Sequence, residues 1–379
     1  MYTNIICNHW LKCALKSSVF AGVFFCLLIS GCAEQDQKDA SYVETENQKV
    51  RHSQGTLVLY NWEDYIGSRT LSSFEEQTGI KVQLFTYEDD EEVISGIQSG
   101  SINPDLVILS ESLAREMQTA RLLKVINSAE VPNLVHINGE KFKITFDSGH
   151  DYHDHIVPYF VGTTGLAVNT RFIPDGYRSW NILWDKRLKG KIAMLNNPFE
   201  VAGAASKLLG FPLNPLPEQL PFVRDKLLEQ KPLLAGYYDA VTLSSMLVEE
   251  EIWAAQIYSG DGLIASELNE DIAFVIPEEG CAIWMDVFII PQGAENVAQA
   301  HKFINYVHEP AVNAEIASEL WVKTLNSAAE KYIDPEVIDS PKVNPPDEII
   351  ALCEFFGDMG AAESVRGRLQ IWSELLSDR

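Results

Sequence analysis

Trp62 and Tyr65 bracket Glu63 and Asp64 within four residues, and Trp284, Met285 and Asp286 stand directly before the apolar run 287–290. Rings beside carboxylates suit one kind of chemistry, the holding of an organic cation. Flat indole and phenol faces cover methylene groups and attract ammonium charge at ~0.5–2 kcal/mol per contact, while carboxylates add directional charged hydrogen bonds. No catalytic constellation competes with them: the chain has no P-loop, no dinucleotide fingerprint and no G-x-S-x-G nucleophile elbow. His150, Asp151, His153, Asp154 and His155 form the one string with metal-ligand character. It lacks helical spacing and an evident supporting partner, and a solvated loop yields the same letters, so no metal is expected there. The acids of 88–92 are read the same way, as a solvated helix start favoured by the helix dipole rather than a calcium site.

The elements that must position these residues follow from periodicity. Residues 57–60 form a short buried strand; Leu71 and Phe74 share a helix face that Gly79 can close; 80–85 is a second strand; Val93, Ile94 and Ile97 mark a second helix; 105–109 is a third strand. The order βαβαβ demands a parallel sheet with right-handed crossovers, whose ligands sit at the carboxyl ends of the strands. Trp62, Asp64, Tyr65 and Ser110 to Ser112 all fall at such ends. A second unit of the same kind is expected over 165–275, with strands near 166–168, 192–195 and 253–258, giving two α/β lobes.

Composition agrees with a ligand-binding rather than a nucleic-acid-binding protein. Of 379 residues, 54 are acidic and 29 basic, for a formal charge of -25, which repels a phosphate backbone and gathers cations. With 46% hydrophobic residues the chain can fill two cores. Lys12 and Lys16 precede an apolar run over 19–29, and Ser30, Gly31 and Cys32 follow it. About eleven apolar residues are too few to span a membrane, which needs ~20, so 1–31 reads as a lipoprotein signal peptide with Cys32 as the lipidated residue. Residues 32–54 are polar and read as a flexible tether. Beyond the signal and Cys32 only Cys281 and Cys353 remain, a bridge or two buried thiols.

The segments YNWEDYI, QTGIKV, TYEDDEEV, PDLVILS, VPYFVGTTGLAVN, SWNILW, IWMD followed by FIIP, and GDMGAAESV resemble, in order, the polyamine-binding proteins of bacterial ABC importers, of the spermidine/putrescine type. The likeness covers about 57–376. It implies an α/β, bilobal periplasmic binding protein-like fold of type II with crossover hinge strands, lobe 1 being 55–161 plus 287–322 and lobe 2 being 162–286 plus 323–379. It also implies a monomeric receptor in the periplasm or on the extracytoplasmic face, without cofactor, that passes a small cationic amine to an ABC transporter permease. Carried over by position, Trp62 and Tyr65 are cleft aromatics, Asp64 receives one ammonium end, Trp284 and Asp286 form a Trp-x-Asp pair on the amine chain, and Glu200 holds the other end.

The departures concern charge. Asn197 stands where the resemblance places a second aspartate, Ser112 where an aromatic is frequent, Tyr258 in place of a tryptophan, and Phe356 in place of a glutamine. Losing one carboxylate removes a charge partner, so the amine preferred here need not be a triamine. A sensor that signals through a transmembrane receptor is the main alternative, and a metal-dependent hydrolase using 150–155 a lesser one.

Overall fold

The computed structural model of the protein describes residues 55–87, 90–138, 152–175, 177–356 and 359–377. The signal segment, Cys32, the tether, Glu88, Asp89, His150 and Asp151 lie outside these residues, as does the side chain of His153.

Strands β1 (Thr56–Trp62), β2 (Lys81–Tyr87) and β3 (Leu106–Ser110) pair in parallel with β1 in the centre. Helices α1 (Thr70–Thr78) and α2 (Asp90–Ser99) make the crossovers, and α3 (Glu111–Thr119) follows β3. Five consecutive residues of β1 are buried, the pattern of a strand covered on both faces. Gly79 closes α1 in the left-handed conformation with its N–H on Glu75 O. The expected βαβαβ order is therefore present.

Strand β4 (Ile156–Asn169) is longer than the strand expected near 166–168. It contains both Pro158 and Gly162. Here the irregularity at Pro158 is a register shift before Phe160, and the strand continues through Gly162. Over 156–163 it pairs antiparallel with β9 (Ala282–Ile289), which also runs antiparallel to β3. From Thr164 onward it pairs instead with β7 (Ala254–Tyr258) and β8 (Ile272–Val275). The change from Thr163↔Ile283 to Thr164↔Tyr258 takes one residue, and it is the seam between the two halves of the sheet.

In the second half β5 (Ile192–Leu195) lies between β7 and β6 (Leu234–Tyr238), parallel to both. The short strands β6 and β8 escaped the sequence reading. Helix α4 (Pro198–Leu208), followed by α5 (Leu220–Gln230), comes after β5, α6 (Ala240–Val248) after β6 and α7 (Ser259–Leu268) after β7. After β9 the chain forms α8 (Val297–Val307) and α9 (Pro310–Leu320) on the first half. The tail then divides in a way the expected boundaries miss. Residues 325–334 remain on the first half, where Asn326 bridges Ile137, Asn138 N donates to Leu325 O and Asp334 N donates to Ser318 Oγ. Only later do β10 (Glu354–Phe355), paired with β9, and α10 (Ala362–Ser377), packed on α4 and α5, join the second half.

Candidate functional site

Each candidate side chain sits where a strand hands over to a helix, or on β9 at the seam. β1 ends at Trp62, and the turn after it carries Asp64, exposed and in the left-handed region at φ 52°, and half-buried Tyr65. Asn61 Nδ2 and Tyr159 Oη both donate to Tyr65 O, at 2.7 and 3.2 Å, and the Tyr65 and Tyr159 rings meet edge to face at 5.5 Å. The Trp62 ring lies 4.5 Å from that of Tyr87, the last residue of β2. Aromatic surface and fixed backbone thus hold this turn in one pose.

β9 supplies the second group. Trp284 and Asp286, two residues apart, project from the same face of the strand. Trp284 lies across Gly162 on β4: a Cβ there would stand 2.2 Å from its Cζ2. Gly162→Ala is therefore expected to rotate the indole and weaken ligand binding by about tenfold, with ~1–3 kcal/mol of lost stability from overpacking. Titration calorimetry with denaturant unfolding checks this, and unchanged affinity would show that the Trp284 pose is irrelevant. The Trp284 ring also meets Tyr258, at the end of β7, edge to face at 5.7 Å.

Asp286 faces Ser110 across the β3–β9 pair. Ser110 Oγ donates to Asp90 Oδ2 at 2.7 Å, and Tyr87 Oη donates to Asp90 Oδ1 at 3.0 Å and also to Ile108 O. Asp90 is thus buried and hydrogen-bonded beside Asp286, not part of a solvated helix start. Burial and then the Asp90 charge raise the Asp286 carboxyl to about 7, against a smaller lowering by the Tyr65 phenol beside it. Burial likewise pushes the Tyr65 hydroxyl well up, helped by the Asp286 charge. That hydroxyl is shielded from water and has no hydrogen bond of normal geometry.

Two further carboxylates stand at third positions of helices in the second half. Glu200, 5% exposed, accepts a 2.8 Å hydrogen bond from Thr164 Oγ1 at the seam, yet burial still raises it to about 7. Asp261 follows Tyr258 in the first turn of α7. Burial raises it to about 7, its own backbone N–H opposes this, and the Asp239 and Asp64 charges add to it. Asp64 of the first half therefore lies close enough to Asp261 of the second for their charges to interact. No basic side chain acts on Glu200, Asp261 or Asp286 among the described residues. Glu200 is the most deeply buried of the three, since Asp261 and Asp286 keep some exposure.

Of the residues named from sequence, Trp62, Asp64, Tyr65, Glu200, Tyr258, Trp284 and Asp286 thus come to strand ends or the seam. Ser112 lies behind Ser110, its hydroxyl 3.5 Å from Ser110 Oγ. Asn197 caps α4, its Oδ1 accepting from Phe199 N at 2.9 Å and Glu200 N at 3.1 Å, which leaves its amide donor for any other contact. Phe356 donates its N–H to Ile283 O and so lies against β9. Asp90 and Asp261 were missed. Asp261 had a legible signal, an acid in the first turn after a strand, as at Glu200; Asp90 was hidden in an acidic run.

No group of His, Cys, Asp and Glu suited to a metal ion occurs among the described residues, which include Asp154 and His155. A surface groove of about 370 Å³ between Pro174 and Glu278 is lined by none of the residues above. The site is defined instead by converging carboxylates and rings.

Comparisons with known proteins bear on the family and the fold. A family model described as bacterial extracellular solute-binding protein matches residues 70–345. The spermidine/putrescine-binding periplasmic protein of Escherichia coli (strain K12) is 29% identical over 313 residues, 82% of this chain and 89% of that one. The spermidine/putrescine ABC transporter substrate-binding protein PotD from Streptococcus pneumoniae superposes with a TM-score of 0.72 at 26% identity, covering 84% of this chain and 98% of that one. The TpPotD lipoprotein of Treponema pallidum gives 0.73 at 25% identity, covering 84% and 99%. With the family model spanning most of the chain over a two-part α/β fold of the same type, this protein belongs to the bacterial extracellular solute-binding protein family.

Proposed function

We propose that this protein captures an aliphatic polyamine between its two halves and delivers it to an ABC importer. The observation that carries the reading is electrostatic: Glu200, Asp261 and Asp286 are held at about 7 with no basic side chain among the described residues to relieve them, beside Trp62, Tyr65, Tyr258 and Trp284. Such a set lacks cationic charge, and a flexible chain with separated ammonium groups supplies it where carboxylates are spread apart. In this reading Asp64 and Asp261 take one ammonium end, Asp286 with Asp90 a nitrogen along the chain, and Glu200 the other end, while the rings cover the methylenes. Asn197, used as a helix cap, adds no charge, so diamines compete well with triamines here.

The test is a thermal-shift and calorimetric screen of putrescine, cadaverine and spermidine, with arginine and choline for contrast. A ligand bound only by the folded state stabilises by RT ln(1 + [L]/Kd), about 4 kcal/mol at a thousandfold excess over Kd. Stabilisation by aliphatic amines, falling with salt, is expected; none from any of them would end the polyamine reading.

The anchor is part of the same proposal. Cys32 follows the small residues Ser30 and Gly31 at the end of an apolar run. Cys32→Ser is expected to release the protein from the membrane fraction, since the mature chain then lacks its acyl groups. Undiminished membrane retention of that variant would contradict lipidation at Cys32.

A further inference from the structure

Outside the ligand site, two thiols lie where the chain leaves and re-enters the second half. Cys281 directly precedes β9, and Cys353, 72 positions later, directly precedes β10. The strands pair in parallel with Glu354 opposite Ala282 and Phe355 opposite Ile283, and Glu354 N donates to Cys281 O at 2.9 Å. One residue earlier, Gly280 at φ 87° lets the Leu352 backbone approach so closely that a Cβ would stand 1.8 Å from Leu352 O. Lys207 on α4 ties down the returning segment, donating to Leu352 O at 3.3 Å and pairing with Glu354 Oε1 at 2.9 Å, while Leu213 N donates to Glu354 Oε2 at 3.0 Å. The two sulfur atoms are 2.8 Å apart.

We propose that Cys281 and Cys353 are a modification site: in the exported protein they are oxidised to a disulfide that staples the outgoing strand β9 to the returning strand β10. The bond closes the whole excursion through β9, α8 and α9 at its foot, three residues before Trp284 and five before Asp286. It fixes the β9 foot and the tail that carries α10, independently of what the site binds. A dithiol–disulfide oxidant of the extracytoplasmic space is the co-reactant. The Cys353 thiolate attacks one sulfur of the oxidant's disulfide and expels the other as a thiol. The Cys281 thiolate then attacks Cys353 Sγ and expels the oxidant's remaining sulfur. One S–S bond forms and one breaks; two electrons and two protons pass to the oxidant. Accessibility assigns these roles, since Cys353 is half-buried and Cys281 fully buried. Reactivity agrees: the hydrogen bond with Cys281 and then the Lys207 charge hold the Cys353 thiol below its ordinary value, whereas burial pushes Cys281 well up.

The experiment takes the full chain expressed for export and isolated without reductant, with free thiols alkylated at lysis. Peptide mapping is expected to give one linked pair of peptides, about 2 Da lighter than the two reduced peptides together, with neither cysteine alkylated. Closing so long a loop predicts that reductant lowers the Tm of the empty protein by on the order of 5 °C. Cys353→Ser is expected to melt at the reduced temperature and to ignore reductant. Should that variant fail to fold, reduction of the wild type alone still reads the effect. Two alkylated thiols in the unreduced protein would overturn the proposal, as would a linked pair whose reduction leaves the Tm unchanged. Neither readout involves a ligand, so failure here is separable from failure of the polyamine reading.

Discussion

Asp286→Asn is expected to weaken amine binding by roughly 100-fold or more and, in the same protein, to raise the thermal stability of the empty form above neutral pH. The two effects have one origin. Asp286 is enclosed beside Asp90, its carboxyl raised to about 7 by burial and by that neighbouring charge. A bound ammonium converts this repulsion into charged hydrogen bonds, and removing one partner of such a contact costs ~2–5 kcal/mol. Without ligand the carboxylate only costs, because ionising it leaves two negative charges close together in a poorly solvated place. Asparagine keeps shape and an acceptor but cannot ionise. The empty variant should therefore melt higher than wild type near pH 8, and by a smaller margin near pH 5, where folded wild type still holds Asp286 protonated while the unfolded chain has begun to ionise it. Calorimetry and thermal melts at both pH values measure this. Loss of binding together with lower stability at every pH would point to simple misfolding, and retained affinity would remove Asp286 from the ligand.

Why some of this was legible in sequence and some not comes down to range. The runs of β1 and β3 and the Leu71/Phe74 face are local patterns, and they placed Trp62, Asp64, Tyr65 and Ser110 at strand ends. The continuity of β4 was not local. The features that carry one strand through Pro158 and Gly162, a register shift against β9 and an indole across the glycine, belong to a partner far away in sequence. The tail failed for the same reason: what holds 325–327 on the first half is Ile137, His136 and Asn138, none of them visible from 323–379 alone. Asp90 shows a different failure. In an acidic run every carboxylate looks solvated, and only the folded partners Tyr87 and Ser110 show that Asp90 turns inward.

Ligand affinity is expected to rise and the empty protein to become less stable over the same pH interval, from about 4 to about 7. Glu200, Asp261 and Asp286 titrate near 7 in the empty fold, whereas in the unfolded chain they return to the ordinary carboxylate range of about 4. Between those values the folded state binds more protons than the unfolded one, so stability falls as pH rises. The contribution is complete below the unfolded value and gone once pH has passed the folded one. For Glu200 the shift amounts to roughly 3 kcal/mol; water reaching the half-buried Asp261 and Asp286 reduces their shares. An ammonium ligand reverses the sign, because it needs ionised partners and so expels the protons that the empty site holds. Near pH 6, calorimetry in two buffers of different ionisation enthalpy should count between one and three protons released per amine bound, and affinity should climb until the carboxylates are fully ionised. Replacing Glu200 with glutamine, which keeps an acceptor for Thr164, should remove about one of those protons. A pH-independent affinity with no proton release would mean that these carboxylates are already ionised in the empty protein, and that their burial does not set the strength of capture.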